Sequence, residues 1–293
     1  MTLALALWRR LPVVVRAVVI GMLAAAAGSY PWAWLAGANL RHLRAIPWGP
    51  LIMLGYLWLY WRYASGRGWP SSTAETRRSS MRARPVSGAV WASALVAGLL
   101  GLWATVALMR LVGRLVALPR ESAGDLSRIP PITLLVFALM GALVAGVVEE
   151  TSFRGYMQRP IERRHGPVAA IVVVGLMFGL AHGTHTYWSL VLMPYYVAVA
   201  AVYGTLAHLT DSILPALALH AGGNALSALA LLFANQGLMD SGTARDAGPA
   251  GVNGAFWVNA VVLVVVSVAA VLAYRWLADV VRGERRDAPA GPP

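Results

Sequence analysis

Residues 131–154 read PITLLVFALMGALVAGVVEETSFR, an 18-residue run from Pro131 to Val148 broken only by Thr133, then Glu149, Glu150 and, four residues on, Arg154. A helix rises 1.5 Å per residue, so the run and its continuation cover the roughly 30 Å of a bilayer's hydrocarbon core. A charged side chain near the middle of such a core costs about 2.5 to 3.5 kcal/mol on insertion scales. Two adjacent carboxylates at the end of a spanning segment therefore require a function or a partner.

The rest of the chain sets the same context. Of 293 residues 58% are hydrophobic and 12% charged, with a mean hydropathy of +0.63, which excludes an ordinary soluble domain. Apolar stretches at about 11–30, 46–61, 88–110, 131–158, 167–185, 188–208, 213–234 and 255–277 predict an all-α polytopic membrane bundle of about eight helices. The second contains Pro47 and Pro50, and the first contains Arg16. Tryptophans near span ends, such as Trp48, Trp61, Trp91 and Trp257, match an interfacial belt. The first span, preceded by Arg9 and Arg10, also has a signal-peptide reading; Arg16 within its apolar core favours an uncleaved anchor.

Three parts follow: residues 1–130, with N-terminal spans and a basic loop at 62–87; residues 131–234, with the polar residues of interest; and 235–293, with a last span and a tail. The loop reads as a flexible cytoplasmic connection and the tail after Arg282 as disordered. All 24 basic residues are arginine. With both termini inside, 16 arginines lie on the cytoplasmic side and seven opposite, the bias that sets membrane orientation. The net charge of +12 thus reflects topology and contact with anionic lipid, not nucleic-acid binding. An Ala, Arg and Gly bias without lysine points to a bacterial cell membrane. There is no cysteine, so disulfides, thiol catalysis and thiolate metal sites are excluded.

Residues four apart on a helix share a face, and neighbours diverge by about 100°. Glu150 is therefore expected to pair with Arg154, leaving Glu149 for chemistry. Two intramembrane histidines join them: His182, one turn after Phe178, and His220, one turn before Asn224. With Gly166 as the turn of a hairpin, Glu149 lies 17 residues before it and His182 lies 16 after, at one depth. His220 lies nine residues past Asp211, a similar depth of about 14 Å from that turn. The expected constellation is a carboxylate, two imidazoles and a carboxamide.

Such a set activates water. Glu149 serves as general base, an imidazole helps hold the water and move its proton, and His220 and Asn224 donate to an oxyanion. Glu149, His182 and His220 are also the ligand types of a divalent metal such as zinc, which would activate the same water. Blander roles are expected for His165 (solvated turn), His185 (interface), His208 (structural) and Asp211 (helix N-cap).

The segments Glu149-Glu150-Thr-Ser-Phe-Arg154, Phe178-Gly-Leu-Ala-His182 and His220-Ala-Gly-Gly-Asn224 resemble the EExxxR, FxxxH and HxxxN motifs of the CPBP family, which includes the type II CAAX prenyl endopeptidases and bacterial Abi-type proteases. They span 76 residues in the family's order. The resemblance implies an eight-helix intramembrane endopeptidase with a cytoplasm-facing site. Glu149 would be its base and His182 its water-activating partner. His220 and Asn224 would form the oxyanion site, with Glu150, Arg154 and Phe178 in support. The family has been described both as metalloproteases and as metal-independent glutamate proteases, so a zinc-like cofactor stays open. The implied partners are membrane lipid and a peptide or protein substrate. The alternative is a non-catalytic membrane protein, either a proton-coupled carrier or an immunity or scaffold protein. Carriers commonly show related halves, whereas here the polar residues cluster in 149–224 alone.

Overall fold

In a computed structural model of the chain, residues 3–117, 129–182, 186–241 and 251–287 are described. They contain helices and no strand. The helices are α1 (Leu3–Arg10), α2 (Val13–Arg41), α3 (Trp48–Ala64), α4 (Ala74–Met81), α5 (Gly88–Leu115), α6 (Pro131–Glu149), a π-helical segment (Glu150–Gln158), α7 (Arg159–His182), α8 (Thr186–Thr210), α9 (Leu214–Ser241) and α10 (Gly254–Asp287). The protein is a polytopic helical bundle.

Among the described residues six helical stretches are long and apolar enough to cross a membrane. Two features separate this from the eight runs of the sequence. Helix α3 has only 17 residues, or about 26 Å at the helical rise. The stretch Pro131–His182 counts once although Gly166 interrupts it, at φ 82° and ψ 167°. That conformation is essentially confined to glycine, and Pro167 follows it. The first span is longer than expected and runs through Pro31 to Arg41.

The described residues fall into two compact units. One is drawn from Met1–Ala83, Arg120–Ala170 and Leu217–Asp246, the other from Arg84–Pro119, Ile171–Ala216 and Ala247–Pro293. In the first, α2, α3 and α6 pack around Leu35, Met53, Leu57, Tyr60, Met140, Val144, Val147 and Val148. Lipid tails are as apolar as these side chains, so close packing and hydrogen bonds, not escape from water, hold such helices together. The polar ties are specific. Tyr56 and Tyr60 donate to the carbonyls of Ala27 (2.6 Å) and Ala24 (3.2 Å). Asn39 donates to Ile46 O (2.9 Å) and accepts from Gly49 N–H (2.6 Å), which fixes the turn between α2 and α3.

The 62–87 connection is folded, contrary to its reading as flexible. It forms a 3-10 turn, Ser71–Thr73, and then α4. Met81, Arg77 and Arg82 are buried. Arg77 Nη2 donates to the carbonyls of Gly68 (2.6 Å) and Pro70 (2.7 Å), and its guanidinium lies 4.2 Å from the ring centre of Tyr63. Serine, glycine and arginine gave the loop a disordered composition, but these arginines fasten backbone instead of meeting water.

In the second unit α5 packs along α10 and α8, and Tyr274 donates to Val202 O (3.0 Å). Helix α10 continues to Asp287, five residues past Arg282. Between α8 and α9, Asp211 pairs with Arg84 (3.0 Å) and the Ser212 hydroxyl accepts from Leu214 N–H (3.2 Å). The capping oxygen is thus that of Ser212, while Asp211 sits in the left-handed region at φ 50°. His165 is exposed, and His185 lies outside the described residues.

Candidate active site

The site is built where α6 passes into the π-helical segment. Three residues before Glu149, Gly146 faces α9 so closely that a Cβ there would lie 2.7 Å from Ala221 Cβ and 3.1 Å from Ala221 Cα. Only a residue without a side chain allows this approach, and it brings the end of α6 against the turn of α9 that carries His220. After Glu149 the hydrogen-bond pattern widens from α to π over nine residues. Every residue from Glu150 to Gly155 is buried, and π turns are frequent at functional sites.

The segment is held by its neighbours. The Tyr60 hydroxyl lies 3.3 Å from Ser152 Oγ, and Tyr156 donates to Ala64 O (2.8 Å). Arg82, fully buried, donates from Nη2 to the Arg154 carbonyl (3.0 Å) and from Nη1 to Glu162 (3.1 Å). This arginine, 72 residues from its acceptor, was missed from sequence, where it belonged to a solvated loop. No local pattern reveals such a contact.

Glu150 and Arg154 pair as their spacing predicts, Nη1 to Oε1 at 3.2 Å, with both side chains fully buried. The same Oε1 accepts from His220 Nδ1 at 2.7 Å. His220, 6% exposed, turns its other nitrogen toward the second carboxylate, with Nε2 3.6 Å from Glu149 Oε2. Glu149 is the more open of the pair, its side chain 18% exposed against 0% for Glu150. One imidazole therefore joins the two glutamates. Glu150 makes Nδ1 the donating nitrogen, so Nε2 is the nitrogen presented beside Glu149. At 3.6 Å that second contact is longer than a direct hydrogen bond.

Asn224 lies one turn beyond His220 on α9 and is exposed. His182 belongs to the second unit, at the end of α7. Its Nδ1 lies 2.8 Å from the Phe178 carbonyl and its ring 4.3 Å from that of Phe178 and 5.3 Å from that of Tyr196. Donation to the carbonyl puts the ring proton on Nδ1 and makes Nε2 the acceptor nitrogen. The motif spacing of four residues thus has a direct use, since Phe178 orients His182 through both backbone and ring.

A family model described as type II CAAX prenyl endopeptidase Rce1-like matches residues 131–226. That segment is similar to the Rce1-like family. It contains all three motifs, from Glu149 through His182 to Asn224. No curated protein and no solved structure matches the chain. The family is one of CAAX-type intramembrane endopeptidases, enzymes that work on peptide bonds within a membrane environment.

A resident zinc takes at least three protein donors in a catalytic site. Among the described residues no three His, Asp, Glu or Cys side chains come together in that way. Glu149 Oε2 and His220 Nε2 provide two, while His220 Nδ1 and Glu150 Oε1 are engaged with each other and Oε1 also pairs with Arg154.

Proposed function

We propose that the protein is an intramembrane endopeptidase that hydrolyses a peptide bond of a membrane-associated substrate, with a CAAX-type C-terminal tail as the first candidate, through water activated by Glu149. The observation that carries this reading is the buried His220 held by Glu150 and turned toward the more open Glu149, inside the segment that matches the endopeptidase family.

In this reading the Glu149 carboxylate takes a proton from water as the water oxygen attacks the scissile carbonyl carbon. The carbonyl π electrons move onto oxygen. A doubly protonated His220 donates from Nε2 to that oxyanion, and the Asn224 carboxamide, one turn on, adds a second donor. Collapse of the tetrahedral intermediate breaks the C–N bond, and the proton held by Glu149 passes to the leaving amine. His182, oriented by Phe178, is assigned by motif pattern to accept from the same water through Nε2. The Glu150–Arg154 pair fixes the ring of His220 and touches no reacting atom. The arginine bias further supports a multi-pass protein of a bacterial cell membrane with both termini and the site toward the cytoplasm.

The test is cleavage of a quenched peptide library, including a prenylated CAAX peptide, by detergent-purified protein. Glu149→Gln and His182→Ala are each expected to lower turnover by about 10²- to 10⁴-fold, the usual worth of a positioned base, with unfolding temperature unchanged for Glu149→Gln. Activity that survives Glu149→Gln removes the carboxylate from the mechanism. A chelator arm asks whether a metal is needed, and full loss on chelation with recovery on zinc would replace the metal-free scheme.

A further inference from the structure

The first unit contains a second feature, a cavity of about 910 Å³ between α2, α3, α4 and the start of α7. This is at the upper end of the roughly 300 to 1,000 Å³ of small-molecule sites. Its apolar wall is one stripe of α2, through Ile20 and Leu23 to Ala27, faced by Leu59 of α3. At one end stand three guanidinium groups, Arg16, Arg77 and Arg163, with the hydroxyl residues of α4 around them and no acidic residue in the lining.

Arg77 is 4% exposed. Its Nη2 is used by two loop carbonyls, but Nε and Nη1 are buried without a hydrogen-bond partner, as is Nε of Arg16. A buried cation that lacks a carboxylate and has donors to spare is costly unless an anion meets it. Guanidinium forks match phosphate oxygens in particular. From Arg16 to Ala27 the stripe runs 11 residues, or about 16 Å, which is about half of the hydrocarbon thickness and so the depth of one leaflet's acyl chains.

From this geometry we propose that the cavity holds an anionic glycerophospholipid, its phosphate on Arg16, Arg77 and Arg163 and an acyl chain along α2 against Leu59. Basic pockets between membrane helices take anionic headgroups by the same electrostatics. The far wall is formed by Tyr60 and Tyr156, which also contact Ser152 and belong to the π-helical segment respectively. A bound lipid would therefore brace the segment that carries Glu150 and Arg154. The proposal concerns binding alone and does not depend on the protein being a protease.

Native mass spectrometry of the full chain in neutral detergent, titrated with phosphatidylglycerol or phosphatidylcholine of the same chains, reads it directly. Phosphatidylglycerol is expected to bind at least about tenfold more tightly than phosphatidylcholine. Arg77→Gln loosens the loop as well as the site, so the deciding variant is Arg16→Gln with Arg163→Gln, expected to abolish the preference. Arg282→Gln, on the exposed end of α10, is expected to leave it intact. Phosphatidylglycerol should also raise the unfolding midpoint where inorganic phosphate at equal concentration does not. Equal binding of the two lipids, an equal shift with inorganic phosphate, or a loss with Arg282→Gln as large as with the double variant would each overturn the proposal.

Discussion

Glu149 and Glu150 are adjacent in sequence and differ in burial and in how they meet His220. Glu150 is fully buried, shares one oxygen between Arg154 and His220, and has the character of a structural anchor; Glu149 meets the same imidazole at longer range and keeps access to the surface. Breaking a buried pair by removing one partner leaves an uncompensated charge and costs about 3 to 5 kcal/mol, whereas replacing both partners by apolar residues of similar size can be neutral. We expect Glu150→Met to lower thermal stability by that amount and Glu150→Met with Arg154→Met to recover most of it. Turnover should stay low in both, because His220 Nδ1 has lost its acceptor. Thermal unfolding and peptide cleavage on the same preparations separate the two effects. Recovery of cleavage in the double variant would show that Glu150 acts only through stability.

At the scale of elements, the site depends on two glycines that act by different physics. At Gly146 an added Cβ meets α9 backbone and Ala221, so Gly146→Ala should push α6 from α9. The expected cost is about 1 to 3 kcal/mol, with turnover falling as the glutamates and His220 separate. Ala221→Gly in the same chain should restore part of it. At Gly166 nothing lies within 4 Å of an added Cβ, and only the backbone conformation objects. Gly166→Ala is therefore expected to cost about 1 to 3 kcal/mol with no rescue by any neighbouring substitution. Melting curves of the three variants test both. The same elements show what sequence can carry. Apolar runs, the break at Gly166 and the Glu150–Arg154 spacing are local, and each was legible. The π-helical turns were not, because the segment is held from other elements by Tyr60, by Arg82 and by the Ala64 carbonyl that Tyr156 reaches, and those contacts span 72 to 92 residues. The bond from His220 to Glu150, 70 residues apart, was likewise invisible: motif spacing placed His220 with Asn224 and gave no sign that its first partner is the buried glutamate.

For the whole molecule the open question that sequence frames best is orientation. Apolar side chains such as Val258, Val261, Val265 and Leu272 on α10 are exposed, as suits lipid-facing helices. Apolar faces do not distinguish inside from outside; arginine does, with 16 in the segments assigned to the cytoplasm and seven opposite. The folding of 62–87 onto the π-helical segment gives this bias a consequence, because the side that holds α4 also holds the approach to the segment carrying Glu150. The chain has no cysteine, so single thiols can be introduced without background. Leu43, 72% exposed between α2 and α3, and Arg78, whose side chain is 62% exposed on α4, lie on opposite sides in the expected topology. In intact cells a membrane-impermeant maleimide should label Leu43→Cys directly and Arg78→Cys only after permeabilisation. The reverse pattern would invert the protein and put the proposed peptidase site on the outer face. Labelling of both in intact cells would mean that α3, at 17 residues, does not cross the membrane.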